Sequence, residues 1–104
     1  MTAYEPGEEI QLNVESKRKF FAKAMSWRDQ QAYGNLEKAA KSDDEKTVET
    51  DKILDAVLTR LVRTDPPIEL TKANLESIVD YRLIWELNAA VKYNLTHDDK
   101  KKLD

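Results

Sequence analysis

The stretch ILDAVLTRLV, residues 53–62, predicts the central element of the fold. Its apolar residues recur at i, i+1, i+4, i+5, i+8 and i+9, which places them on one helical face about 100° wide. Burying each such side chain stabilises a fold by roughly 1.5–3 kcal/mol before chain entropy is subtracted. We therefore expect this helix to form the centre of the core, through Ile53, Leu54, Val57, Leu58, Leu61 and Val62.

Helix stop and start signals follow this stretch. The sequence DPP at residues 65–67 should end the central helix, because proline lacks an N–H group and restricts the residue before it. After an extended crossing, Thr71 is the predicted N-cap of the next helix. Asp80 is suited to cap a further helix, although one continuous helix over residues 72–93 fits the same apolar pattern. We favour a break at Asp80.

Before the central helix, the sequence predicts a β-hairpin. Ile10, Leu12 and Val14 alternate with polar residues, and Phe21 and Met25 repeat the same period of two further along. The polar residues between the two segments should form the turn. Two strands alone are marginal in water, so their apolar face must lie against helices.

Another helix should begin after Ser26, where the apolar period changes. Asp29 stands three residues later, close to the arrangement of a capping box, and Tyr33 continues an apolar stripe at helical spacing. Trp27 in the first turn is either a core residue or an exposed anchor for a partner, with Arg28 beside it.

These elements predict a mainly α fold, a small bundle of three to four helices with a short N-terminal β-hairpin. A chain of 104 residues has the usual size of one domain, so we assign residues 1–104 to a single domain. Residues 1–8 and 95–104 should be frayed ends.

Charge and hydropathy narrow the classes of partner. Seventeen basic and twenty acidic residues give a net charge of -3, whereas duplex-binding domains usually carry a clear basic excess. The basic residues 17–19 are typical of a solvated loop tip, with a phosphate or partner contact as the alternative. No signal-like N-terminus is present, and no run approaches the roughly 20 apolar residues of a membrane span. We expect a soluble, cytoplasmic protein that binds neither nucleic acid nor membrane.

The sequence assembles no catalytic or cofactor site. Cysteine is absent, and the one histidine, His97, lies in the charged C-terminal segment, so histidine metal sites and nucleophile pairs are not expected. Asp43, Asp44 and Glu45 lack the spacing and central glycine of a calcium loop. The two glycines are too far apart for a phosphate-binding loop. We expect a protein without enzymatic activity, cofactor or metal.

Aromatic residues predict a surface for protein partners. A core of this size does not accommodate every aromatic side chain, and Tyr81 and Trp85 are four residues apart on one helical face. Burial of both in the core is the alternative. The predicted partner-binding residues are Trp27, Arg28, Tyr81 and Trp85, which would bind another protein or a second copy of the chain.

The order of elements resembles small tail assembly chaperones and related tail-morphogenesis proteins of tailed bacteriophages and prophages. The resemblance lies in EIQLNVESKRKFFAKAMSW, ILDAVLTRLV and LTKANLESIVDYRLIWELNAAV, and in the shorter strings SWRDQQAY, ANLESIVDYRLIWEL and LTHDDKKK. It implies a helical, non-enzymatic protein in the host cytoplasm that binds tape measure and tail-tube proteins before they polymerise. The alternatives are a structural component of the virion, in the tail or head–tail connection ring, and a cellular helical adaptor or regulator.

Overall fold

The computed structural model describes residues 4–41 and 46–96, where two strands and two helices are followed by a third strand and two further helices. The elements in chain order are β1 (Glu9–Gln11), β2 (Lys19–Lys23), α1 (Trp27–Lys41), α2 (Lys46–Arg60), β3 (Leu61–Asp65), α3 (Lys72–Ile78) and α4 (Tyr81–Lys92).

The strands form one antiparallel sheet in the order β1-β2-β3, with β2 in the centre. The predicted helices and the predicted β1–β2 hairpin are confirmed, but the expected helical bundle is not, because the hairpin gains a third strand. The fold is therefore a mixed one, in which helices pack against a small sheet.

β3 replaces the last turn of the predicted central helix, which ends at Arg60 rather than at the prolines. Leu61 and Thr64 are buried, and both side chains pair with β2 residues. Between them, the register skips one residue, so Val62 has no partner on β2 and remains 38% exposed. Such a bulge breaks the alternation that marks a strand in sequence. Leu61 and Val62 therefore fit the helical spacing while belonging to a strand.

The β2 side chains that point into the core are also not the ones that the sequence predicts. Directly opposite residues in an antiparallel pair place their side chains on the same face, and buried Ile10 pairs with Ala22. Ala22 and Phe20 consequently point into the core, whereas Phe21 faces outward, with the Arg63 guanidinium 3.8 Å from its ring centroid. Met25 is buried as expected, although it follows the end of β2.

Capping residues begin the helices where the sequence predicts them. The Ser26 hydroxyl accepts a hydrogen bond from the Asp29 amide at 3.2 Å, directly before α1. Thr71 caps α3 in the same way. The Asp80 carboxylate accepts from the Leu83 amide at 2.8 Å, and the backbone of Asp80 is extended. The break at Asp80 is confirmed, so residues 72–93 form two helices.

One hydrophobic cluster joins the inner face of the sheet to the helices. Ile53, Leu54 and Val57 of α2 are buried, as the helical pattern predicts, while Leu58 is only half-buried at its margin. The fully buried large side chains are Tyr33, Phe20, Leu54, Leu75, Leu87 and Val57.

Parts of the two terminal segments that we expected to be frayed contact the rest of the fold. The Tyr4 hydroxyl lies 2.7 Å from the Thr96 hydroxyl, and the Gly7 amide donates to the Ala24 carbonyl. Thr96 is buried and forms an isolated antiparallel β-bridge with Leu12, the residue after β1. The segment after α4 therefore lies against the end of β1. Among the helices of the described ranges, none combines the length and apolar character that crossing a membrane requires.

Candidate interaction surfaces

α1 and α4 are joined by hydrogen bonds that fix them in an antiparallel arrangement. The Asn94 side chain accepts from the Met25 amide at 2.9 Å and donates to the Met25 carbonyl at 3.1 Å. Gln30 donates to the Lys92 carbonyl at 3.0 Å, and Tyr33 donates to the Asn88 side chain at 2.7 Å. As the residue numbers rise from 25 to 33 on the α1 side, those of their partners fall from 94 to 88 on the α4 side, so the two helices are antiparallel.

A chain of polar side chains, buried at Tyr33 and Asn88 and partly exposed at Glu37 and Lys92, continues this contact. Asn88 accepts from the Tyr33 hydroxyl and donates to the Glu37 carboxylate at 2.7 Å, which accepts from the Lys92 ammonium at 2.6 Å. Burial raises the pKa of Tyr33, and the nearby Glu37 carboxylate raises it further. The hydrogen bond that the Lys92 ammonium donates to the Glu37 carboxylate raises the pKa of Lys92. All four side chains are joined by hydrogen bonds, so this polar chain fixes how α1 lies on α4.

Trp27 is the most exposed large apolar side chain of the described ranges, at 73%. Trp27 is therefore not a core residue, and its role as an anchor for a partner stays a prediction. The Asn94–Met25 hydrogen bonds bring the start of α1 beside the end of α4, where Tyr93 is 60% and Leu95 37% exposed. We call Trp27, Tyr93 and Leu95 the corner surface. Arg28, also exposed, follows Trp27 on α1.

Tyr81 and Trp85 form the second exposed aromatic group, on the outer face of α4. Their ring centroids are 6.1 Å apart in an edge-to-face arrangement. Tyr81 is 64% exposed, whereas Trp85 is half-buried and contacts the core at its edge. Beside them, Arg82 forms an ion pair with Glu86 at 3.4 Å. We call these four residues, with Ala89 one turn further, the α4 outer face.

The structure brings Tyr81 and Trp85 together but places Trp27 and Arg28 at the other end of the helix pair. Trp27 lies level with about residue 93 of α4, twelve positions from Tyr81, which corresponds to roughly 18 Å at 1.5 Å per residue. The four predicted residues therefore belong to two surfaces.

A surface groove of about 450 Å³ runs beside the first turns of α4. Glu86 forms part of its wall and accepts from the Glu15 amide, which ties the hairpin loop to α4. A shallower depression of about 280 Å³ shares Ser16 and Ile78 with this groove and reaches Arg18, whose guanidinium donates to the Pro66 carbonyl. Arg18 thus contacts the chain itself, and Lys17 is exposed as a loop-tip residue.

Within residues 4–41 and 46–96, no group of three or more histidine, cysteine, aspartate or glutamate side chains is arranged to hold a metal ion. Asp43, Asp44, Glu45 and His97 lie outside the described residues.

Sequence reasoning missed the residues that position the two surfaces. Tyr33 and Asn88 are 55 residues apart, and nothing in the local pattern pairs them. Asn94 carries a detectable signal, because a positive φ at the end of a helix favours asparagine or glycine, and its φ is 52°. Its hydrogen bonds to Met25 have no such signal.

The chain has no match among models of known protein families, among curated proteins or among solved structures.

Proposed function

We propose that this protein acts by binding another protein through the corner surface and performs no covalent chemistry. The observation that carries the proposal is the 73% exposure of Trp27. Tryptophan is enriched among residues that dominate binding energy, because it buries a large rigid area at low entropic cost. Tyr93 and Leu95 are exposed apolar residues on either side of Asn94, which is hydrogen-bonded to Met25 two residues before Trp27, and Arg28 adds an exposed charge next to Trp27.

The two sides of the corner are held in place before a partner arrives. The paired hydrogen bonds between Asn94 and Met25 fix the segment after α4 to the chain two residues before α1. A preorganised surface loses less conformational entropy on binding, so more of the interaction free energy appears as affinity. This rigidity supports the choice of the corner as the docking site.

The biological setting that we propose is tail assembly in a tailed bacteriophage or prophage, where the partner is a tape measure or tail-tube protein before polymerisation. This setting rests on the resemblance in the order of elements and is narrower than the binding proposal. A structural role within the virion is the competing assignment, and it predicts that the chain stays in the finished particle.

The binding proposal is tested by producing the full chain together with the protein encoded immediately downstream and, separately, with the tail-tube protein. The measurements are the soluble fraction of each partner and its affinity for the purified chain. Trp27→Ala should weaken binding roughly 30-fold or more, as expected for loss of a dominant interface residue. The exposed position of Trp27 means that the variant should keep its unfolding midpoint.

Leu36→Ala is the matched control, because Leu36 is 58% exposed on the same helix but nine residues on, about 180° around the axis. It should bind as the unmodified chain does. Equal affinities for the Trp27 and Leu36 variants would refute the corner as the binding site. Mass spectrometry of finished particles separates the two settings, since a chaperone is absent from them and a structural component is present.

A further inference from the structure

The side chains of the α4 outer face are arranged so that two copies of this face, placed antiparallel, are complementary to each other. Trp85 stands near its middle, with Tyr81 one turn towards the start of α4 and Ala89 one turn towards the end. Arg82 and Glu86 lie on one flank, with 84% and 31% of their side chains exposed. The ring of Tyr81 and the methyl group of Ala89 are thus at equal distances along the helix from Trp85, and the Arg82 cation lies beside the Glu86 anion.

We infer that the α4 outer face is a homodimer interface, in which two copies of the chain pair their α4 helices antiparallel about Trp85. A two-fold axis perpendicular to the helices reverses their direction and keeps each flank opposite the same flank of the other copy. Arg82 of one copy then lies two positions, roughly 3 Å along the helix, from the level of Glu86 of the second copy, within reach of its long side chain, and the reciprocal pair forms by symmetry.

The same symmetry disposes the apolar side chains favourably. Trp85 meets Trp85 of the second copy near the axis, where its half-buried ring extends the core surface of each copy. Tyr81 reaches the turn that contains Ala89 of the second copy, and the small side chain leaves room for the ring. Charge complementarity and size complementarity therefore select the same occupant, a second copy of this chain.

This interface is centred on Trp85, about eight positions, or roughly 12 Å along α4, from the level of Trp27, and its nearest residue, Ala89, is about four positions from that level. Trp27 is not among the residues of the proposed interface, so the charge changes at Arg82 and Glu86 and the substitution of Trp27 test pairing and binding of another protein separately. Failure of one proposal leaves the other intact.

The test is a charge exchange, because replacing Trp85 would disturb the margin of the core. Arg82→Glu and Glu86→Arg are each made in the full chain, and molar mass is measured by sedimentation over a wide concentration range. Each variant alone places like charges opposite each other across the axis and should raise the dissociation constant at least about tenfold. An equimolar mixture of the two variants restores both opposite-charge pairs and should recover the dimer.

Arg28→Glu is the control, since it makes the same charge change as Arg82→Glu on an exposed α1 residue. It should leave the dissociation constant unchanged, as should Trp27→Ala. Recovery in the mixture together with weak pairing of each variant alone supports the interface. A chain that stays monomeric up to about 1 mM, or a dimer that ignores both charge reversals or fails to recover on mixing, overturns it.

Discussion

Tyr33→Phe removes one hydroxyl from the polar chain between α1 and α4 and leaves the ring in place. The Tyr33 hydroxyl donates to Asn88 at 2.7 Å, and both residues are nearly inaccessible, at 2% and 5% exposure. The variant leaves a buried Asn88 oxygen without this donor, which costs about 1–3 kcal/mol. Domains of this size have unfolding free energies of about 5–15 kcal/mol, so the loss is readily measured.

Urea unfolding followed by tryptophan fluorescence measures this change at neutral pH. Tyr81→Phe removes a hydroxyl from a residue that is 64% exposed, and it should change the unfolding free energy by less than about 0.5 kcal/mol. A Tyr33 variant as stable as the Tyr81 variant would refute the assignment of the polar chain as the element that fixes α1 on α4.

Alkaline pH provides a second measurement of the same variant. The pKa values of Tyr33 and Lys92 are raised above their ordinary values of 10.0 and 10.5, so the folded state holds these protons more tightly. Their contributions are fully present below about pH 10 and are lost as the pH rises through the folded-state pKa values. Tyr33→Phe removes the tyrosine contribution, and its stability should fall less steeply above pH 10. An identical alkaline slope would contradict the role of Tyr33 burial.

Substitutions at four further positions test the fold by chemical denaturation. Leu54→Ala should cost about 2–5 kcal/mol because Leu54 is fully buried, while Leu58→Ala should cost clearly less; equal losses would contradict the assigned orientation of α2. Asp80→Ala should cost about 0.5–2 kcal/mol through loss of the α4 cap, and an unchanged midpoint would count against the break between α3 and α4. Asn94→Gly keeps the positive φ and loses the hydrogen bonds to Met25, so it should be more stable than Asn94→Ala, which loses both; the reverse order would show that φ is unimportant there.

Local signals account for the parts of the fold that the sequence predicts. The caps at Ser26, Thr71 and Asp80 depend on bonds that span three residues, so they can be recognised without knowing the tertiary structure. The buried face of α2 is equally local, because a helical period needs only the spacing of its apolar residues.

The missed features depend on residues that are distant in sequence. Leu61 satisfies the helical spacing of α2, and only pairing with β2, about forty positions earlier, makes it a strand residue. The exposure of Trp27 likewise depends on where α4 ends relative to α1. Tyr81 and Trp85 could be placed on one helical face, but their separation from Trp27 follows from the antiparallel contact between α1 and α4.

The bulge at Val62 has a consequence for behaviour at high concentration. β3 is an edge strand of the sheet. A regular edge strand has a row of unpaired N–H and C=O groups that can pair with strands of other molecules and cause aggregation. Here the irregular spacing at Val62, the charged side chains of Arg63 and Asp65, and two prolines without N–H groups follow one another along five or six positions. A strand from another molecule meets no continuous ladder of donors and acceptors along β3, so this edge of the sheet is protected against fibrous growth.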